Sequence, residues 1–302
     1  MIITHNLSLI SILKSTWKMD FYIVLTCVVA HLLHKVLIPN DVEIPGMLAT
    51  LLGTALAFFI GFSNNQAYDR WWEARRIWGE LVNDSRSWAR NVTEYTNNEG
   101  FPGDINDVKK RMVLRHISFV YALKESLRNR PEGYYEKYLS NREIESTARE
   151  SNLPNAILTL NAADLKMLYD TGMIDGFKFM QMNNYLTAFT DQMGKSERIK
   201  NTVFPTYYIF FTKLFIWVLV FFCTIIFSRT IGGWSIPLGW ILGFVFHVTH
   251  QNGMTLMNPF EEIPASIPLS QISRTIEINL LQMLGEKNIP APIEPIDEEY
   301  IL

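Results

Sequence analysis

The chain has 302 residues, of which 48% are hydrophobic, 13% aromatic and only 19% charged, against roughly 25% charged in an ordinary soluble domain. Its formal net charge of -3 is too small to argue for nucleic acid or for a long-range steering field. The two cysteines, Cys27 and Cys223, each lie inside an apolar stretch, which speaks against a disulfide scaffold or a thiolate metal site.

The informative feature is where charge is missing. No Asp, Glu, Lys or Arg occurs between Ile44 and Tyr68 or between Thr230 and Phe260, and a bilayer core takes about 20 residues to cross. Residues 7–13 form a short apolar run with no small-x-small cleavage site after it, which predicts an interfacial helix rather than a cleaved signal. Residues 17–37 predict the first span, with Asp20, His31, His34 and Lys35 at its ends. Residues 44–68 predict the second, opened by Pro45, whose missing N–H costs little there. Residues 203–227 predict the third, with Lys213 as its single charge, and residues 235–257 the fourth, opened by Pro237. Trp17, Tyr22, Tyr207, Tyr208, Trp234 and Trp240 lie near span ends, as an aromatic belt requires.

Between the second and third spans, the chain is too long for a loop and reads as helical. Residues 70–95 continue the second span as one long helix. Residues 109–128 carry an apolar face (Met112, Val113, Ile117, Val120, Tyr121) at helical spacing. Asn161 reads as the N-cap of a helix over 162–169, and residues 176–193 predict another. Pro131, Gly133, Pro154 and Gly172 mark breaks. The tail after Gly285 is acidic, proline-rich and predicted to be extended. The connection at 38–43 has no Lys or Arg and that between spans three and four only Arg229, whereas Arg70, Arg75, Arg76, Arg86 and Arg90 follow the second span. The positive-inside rule then puts both termini and the middle region in the cytoplasm. The expected fold class is all-α: an integral membrane protein with four transmembrane helices and a large helical cytosolic region. Its divisions are residues 1–68 (interfacial helix and first two spans), 69–202 (cytosolic helices), 203–257 (last two spans) and 258–302 (cytosolic C-terminal segment and tail).

No phosphate-cradling glycine loop or nucleophile elbow marks an enzyme. His247 and His250 stand three apart, but no Glu-x-x-His or His-Glu-x-x-His pattern supplies further metal ligands. They read as polar side chains bonding neighbouring helices. Lys213 marks a substrate path or, the preferred reading, snorkels or pairs with Asp20. No metal, cofactor or nucleic-acid partner is expected. In the second span, Gly53, Ala57 and Gly61 recur every four residues and form a face with almost no bulk, suited to close helix approach. Thr54, Phe58 and Phe62 form an adjacent stripe with the same spacing. On spacing alone, rings facing lipid or a neighbouring helix are the simpler reading; the functional one is a constriction that gates by dewetting.

The run Gly61-Phe62, then Tyr68-Asp69-Arg70-Trp71-Trp72-Glu73, resembles the second helix of bestrophins. So do Glu197-Arg198-Ile199-Lys200-Asn201-Thr202 with Pro205, and Asn258-Pro259-Phe260 after the fourth span. The likeness is to the bacterial branch and covers nearly the whole chain. It implies a homopentamer in the bacterial inner membrane, surrounded by lipid, with one axial pore to which each subunit gives its second helix. Counting back from Arg70, the family's neck falls on Thr54, Phe58 and Phe62. Counting back from Pro205 puts a cytosolic aperture near Phe177, with Ile174 and Met180 as alternatives a turn away. Arg70, Trp71, Trp72, Glu73, Glu197, Arg198, Asn201, Pro205, Asn258, Pro259 and Phe260 read as structural, the two indoles anchoring at the interface and Arg70 pairing with a carboxylate such as Asp69 or Glu73.

Eukaryotic members follow Asn-Pro-Phe with an acidic cluster that clasps calcium. Here Glu261 and Glu262 precede Ile263, Pro264 and Ala265, well short of the about six to eight oxygens that calcium takes. The implied function is a channel for small monovalent ions that calcium does not gate. Anions such as chloride are preferred, because inward-turned phenylalanine edges are positive. A sodium or potassium channel of the same architecture is the alternative. A carrier using Lys213 and the histidines would show inverted repeats or broken spans, and neither is visible. A membrane enzyme with His247, His250 and Glu261 as metal ligands is a further rival.

Overall fold

The computed structural model describes residues 9–37, 45–96, 103–296 and 300. Among the described residues the regular structure is helical, apart from one isolated bridge between Ile296 and Tyr300. The α-helices are α1 (Leu9–Leu37), α2 (Gly46–Glu94), α3 (Ile105–Arg128), α4 (Asn141–Thr147), α5 (Leu153–Asp170), α6 (Gly176–Asn201), α7 (Thr206–Ile231), α8 (Ser235–Leu256) and α9 (Leu269–Met283). Short 3-10 turns occupy Tyr134–Tyr138 and Gly232–Trp234. Three segments are long and apolar enough to cross a membrane: Thr16–Leu37, Gly46–Glu94 and Thr206–Leu256. The last of these is divided by the turn at Gly232, whose φ of +58° reverses the chain between α7 and α8.

The helix boundaries correct several expectations. Residues 9–13 belong to α1, with no separate interfacial helix; residues 7 and 8 lie outside the described residues. The long second helix runs unbroken for 49 residues. Asn161 opens nothing: α5 starts two turns earlier, where the Asn152 side chain accepts from Asn155 N at 3.0 Å. Pro154 is tolerated there because first-turn N–H groups lack helical partners anyway, so it begins a helix rather than breaking one. Two helices went unanticipated. A Ser140–Glu143 capping box opens α4, and α9 buries Leu269, Ile272, Ile276 and Leu280 at helical spacing.

The residues group into two compact units. Among the described residues, the apolar unit joins those up to Arg70 with Val203–Asn258. Its core combines Ile23 and Cys27 of α1, Leu56 and Ile60 of α2, and Ile216, Leu219, Val220 and Cys223 of α7. α8 enters through glycine. A Cβ on Gly239 would strike Thr224 and Cys27, and one on Gly243 would lie 2.7 Å from Ile23 and 3.0 Å from Val220. As contacts step forward along α8 they step back along α7, so the two helices are antiparallel. Close approach at a Gly-x-x-x-Gly pair is how helices gain dispersion contact where lipid removes the hydrophobic drive.

The polar unit joins Trp71–Thr202 and Pro259–Leu302. Its core includes Trp78 and Trp88 of α2, Met112, Ile117 and Phe119 of α3, and Phe189 of α6, all fully buried. α9 is pinned by Glu277, which is 0% exposed. This carboxylate accepts from Tyr121 OH at 2.6 Å and from Tyr138 OH, and pairs with Arg274 at 3.1 Å and Lys137 at 3.4 Å. Burial, then the bond to Glu277, pushes the Tyr138 hydroxyl up to about 12 and that of Tyr121 higher still. A buried carboxylate is tolerable only with such compensation. α4 docks through Arg115, which reaches Glu143 at 2.6 Å and Asp164 of α5 at 2.7 Å.

His116 is also fully buried, against the rings of Phe119 and Phe189. Ser85 Oγ donates to Leu81 O at 2.5 Å, so it accepts from His116 Nε2–H at 2.8 Å. The other ring nitrogen, Nδ1, has no partner. The imidazole is therefore held neutral, and burial pushes its pKa from 6.5 down to about 3.

Gly243→Ala is expected to overpack the apolar unit at a cost of roughly 1–3 kcal/mol. Its melting temperature in detergent falls below wild type, whereas Gly194→Ala, with open space around the added carbon, does not lower it. Equal losses would remove the packing assignment. For His116, the unfolded chain takes a proton below pH 6.5 that the fold refuses down to about pH 3. Stability is thus full above 6.5 and drains as pH falls, by up to about 1.4 kcal/mol per pH unit. In His116→Phe that slope flattens, as read from hydrogen exchange of polar-unit amides through this range.

Candidate pore-lining face

In the apolar unit, α2 turns one stripe inward: Leu56, Ile60, Ser63 and Ala67 are each at most 2% exposed. At about 100° per residue, Thr54, Phe58 and Phe62 lie on the opposite side of the cylinder. They are left uncovered by their own chain, Phe58 at 68% and Phe62 at 54% exposure. Their rings meet edge to face, centroids 4.6 Å apart and planes at 83°. The Thr54 hydroxyl donates to Thr50 O at 2.8 Å, which leaves its methyl group and oxygen lone pairs outward. Two side-chain bonds fix the rotation of α2. Tyr208 OH of α7 donates to Phe59 O at 2.6 Å, and Asn64 Nδ2 donates to Thr249 O of α8 at 3.0 Å.

The small-residue face behaves differently from the expectation. A Cβ added at Gly53 would meet Leu219 at the ordinary distance of 3.8 Å, whereas one added at Gly61 would meet nothing within 4 Å, and Ala57 is exposed. Within one chain, close helix approach uses glycines of α8 instead, Gly239 and Gly243 against α1 and α7 and Gly253 against Asn64 of α2. The faces bearing Ala57 and Gly61 and bearing Thr54, Phe58 and Phe62 are both open to something outside the chain.

The motif residues are ties within each unit. Trp71 Nε1 donates to Ala265 O at 3.0 Å and its ring packs on the polar core, while Trp72 is exposed. One of the two indoles is therefore tied to its own unit. Arg70 is half-buried. Glu73 Oε1 accepts from Arg198 Nη2 at 2.8 Å, a partner 125 residues away. Glu197 accepts from Asn152 Nδ2 at 3.0 Å. Asn201 ends α6, and Pro205 caps α7, its carbonyl accepting from Tyr208 N at 3.0 Å. Asn258 is exposed, Pro259 O accepts from Ile267 N at 2.9 Å, and Phe260 is buried in the polar core.

Of the aperture candidates, Ile174 is 3% exposed and sits in the polar core, so it cannot line an opening. Phe177 and Met180 are exposed, at 88% and 65%. The Asp175 side chain caps α6 by accepting from the amides of Phe177 and Lys178, and Lys178 Nζ reaches Tyr95 O at the end of α2 at 3.0 Å.

After the Asn-Pro-Phe segment, Glu262 is already engaged. It accepts from Arg130 and, at 3.5 Å, from Arg128, whose guanidinium is almost wholly buried. Spacing could not have revealed this arginine pair, which lies more than 130 residues earlier. The expected Lys213–Asp20 pair does not form: Asp20 accepts from Thr16 at 2.7 Å and Trp240 at 3.3 Å. Among the described residues, no three His, Cys, Asp or Glu side chains gather as a metal site.

A family model described as Bacterial/Fungal Bestrophin protein matches residues 7–282. The chain is 30% identical over 257 residues to the voltage-dependent anion channel-forming protein YneE of Salmonella typhi, covering 84% of this chain and 81% of that one. It is 24% identical over 271 residues to the voltage-dependent anion channel-forming protein alr2987 of Nostoc, covering 89% and 87%. A crystal structure of a bacterial bestrophin homolog from Klebsiella pneumoniae superposes with a TM-score of 0.82 at 23% identity, covering 89% of this chain and 98% of that one. The helical fold, the order of the motifs and the match over residues 7–282 agree: the chain belongs to the bacterial and fungal bestrophin family.

Proposed function

We propose that this chain assembles as a homopentamer into a channel for small monovalent anions such as chloride, with Thr54, Phe58 and Phe62 of five α2 helices forming an apolar neck. The observation that carries the reading is the register of α2. Its polar and aromatic stripe stands opposite the face committed to its own chain, and the open Ala57–Gly61 face beside it suits a neighbouring copy. The names of the Salmonella and Nostoc relatives, anion channel-forming proteins, support the ion class. Phenylalanine ring edges carry the positive part of the quadrupole, and edges turned toward the axis favour an anion passing close by. Apolar rings around a narrow axis also expel water, so the same side chains gate.

In this reading α1, the first part of α2, α7 and α8 make four passes through a bacterial inner membrane. The polar unit and both termini are cytoplasmic, and Phe177 and Met180 supply the second narrowing. Calcium is not the gating ligand, because Glu262 already has two tethered cations, Arg128 and Arg130.

Reversal potentials across a planar bilayer in a salt gradient are expected to move toward the chloride equilibrium potential; movement toward that of sodium or potassium would replace the anion reading with its cation counterpart. Phe58→Ala with Phe62→Ala is expected to widen the neck, raising current and weakening selectivity, whereas lipid-facing rings would leave both unchanged. Isothermal titration with calcium is expected to give no binding in the micromolar range typical of calcium sensors. Micromolar binding lost in Glu261→Ala would contradict this.

A further inference from the structure

A cavity of about 390 Å³ opens in the apolar unit among α1, α7 and α8, lined by Thr16, Lys213, Trp217, His247 and Gln251. Lys213 is exposed to it without a carboxylate at ion-pair distance among the described residues, because Asp20, the acid nearest in sequence to Thr16, already accepts from Thr16 and Trp240. His247 is 9% exposed and makes no hydrogen bond among the described residues. One turn on, His250 is 1% exposed and does not line the cavity. Buried polar groups are nearly always hydrogen-bonded, so the unpartnered His247 imidazole, opening on the same cavity as the exposed Lys213 ammonium, marks a place for a ligand.

The chemistry of the lining selects the ligand class. A lysine, an imidazole and the Gln251 amide offer donors, while Asp20 accepts from Thr16 and Trp240 and does not line the cavity. A metal ion would need a ligand cluster that the described residues do not form. An oxyanion satisfies all three donors at once through charge-assisted bonds. Its level in the membrane also fits. Lys213 lies seven residues into α7, about 10 Å along the axis, and the 26 residues of α7 exceed the length that a core of about 30 Å requires. On α1, the exposed Trp17 next to Thr16 lies under Lys18, 5.7 Å from its ring, a pairing typical of the interface.

We propose that this cavity binds a phosphate group, carried by a phospholipid headgroup or free in the aqueous phase, with Lys213 as counter-ion and His247 and Gln251 as hydrogen-bonding partners. The site is distinct from the aromatic face of α2, none of whose residues lines it.

Native mass spectrometry of delipidated, full-length protein in non-ionic detergent counts molecules bound during titration with short-chain phosphatidylglycerol or with inorganic phosphate. One saturable site per chain is expected, weakened about tenfold in Lys213→Met, the loss of one charge-assisted hydrogen bond. Lys213→Arg retains binding, and so does Lys18→Met outside the cavity. Saturable binding of inorganic phosphate identifies the free anion as a ligand; binding of the lipid alone identifies the headgroup. Unchanged affinity in Lys213→Met, or an equal loss in Lys18→Met, overturns the proposal. If Lys213→Met does not fold, His247→Phe tests the same donor set, and wild-type affinity there overturns it equally. The readout involves no current, so it stands or falls independently of the pore.

Discussion

A helix in lipid satisfies its own backbone, yet it can bury only part of its circumference against its own chain. α2 meets that constraint in its apolar half and runs on into the polar unit, 49 residues in all. Its inward register passes from Leu56, Ile60, Ser63 and Ala67 to Ala74, Ile77, Trp78 and Leu81 without a slip. Once this stripe is committed, the outward side chains are decided for the whole length of the rod. The bonds from Tyr208 and Asn64 hold the rotation, so small adjustments elsewhere cannot bring Phe58 or Phe62 back under the chain's own cover.

The long apolar runs were legible in the sequence because spanning demands length and absence of charge, and both can be counted. The unbroken course of α2 was legible too, since nothing between Tyr68 and Glu94 interrupts a helix. Local chemistry misled where one residue type has two uses. Pro154 breaks a helix in its interior but starts one in the first turn, and Asn161 resembles a cap yet lies buried in mid-helix. Glycine spacing misled similarly: α2 and α8 both carry small residues four apart, and only the partner across the gap tells which pair is used. In the structure it is Gly239 and Gly243.

The candidate pore stripe shows the same division. Its period was visible in the sequence, but its orientation depends on which other residues of α2 are buried, and spacing alone does not supply that. Arg198 on Glu73 and Arg128 with Arg130 on Glu262 are still less visible, because each joins segments more than a hundred residues apart. These arginines also give the Asn-Pro-Phe segment a fixed internal counter-charge. A covalently attached cation has no concentration to vary, so Glu262 draws its counter-charge from its own chain.

The Glu277 cluster has a consequence in time. Tyr121 leaves the ribosome 156 residues before the carboxylate it binds, and α7 and α8 are made in between. Until α9 emerges, the hydroxyls of Tyr121 and Tyr138 wait without their acceptor, and the surface that α9 will cover stays open. The polar unit is thus split by the segment that must partition into lipid, and it cannot close before that segment has been made. A chain stalled during insertion carries an unfinished domain, recognisable to quality control by its uncovered core.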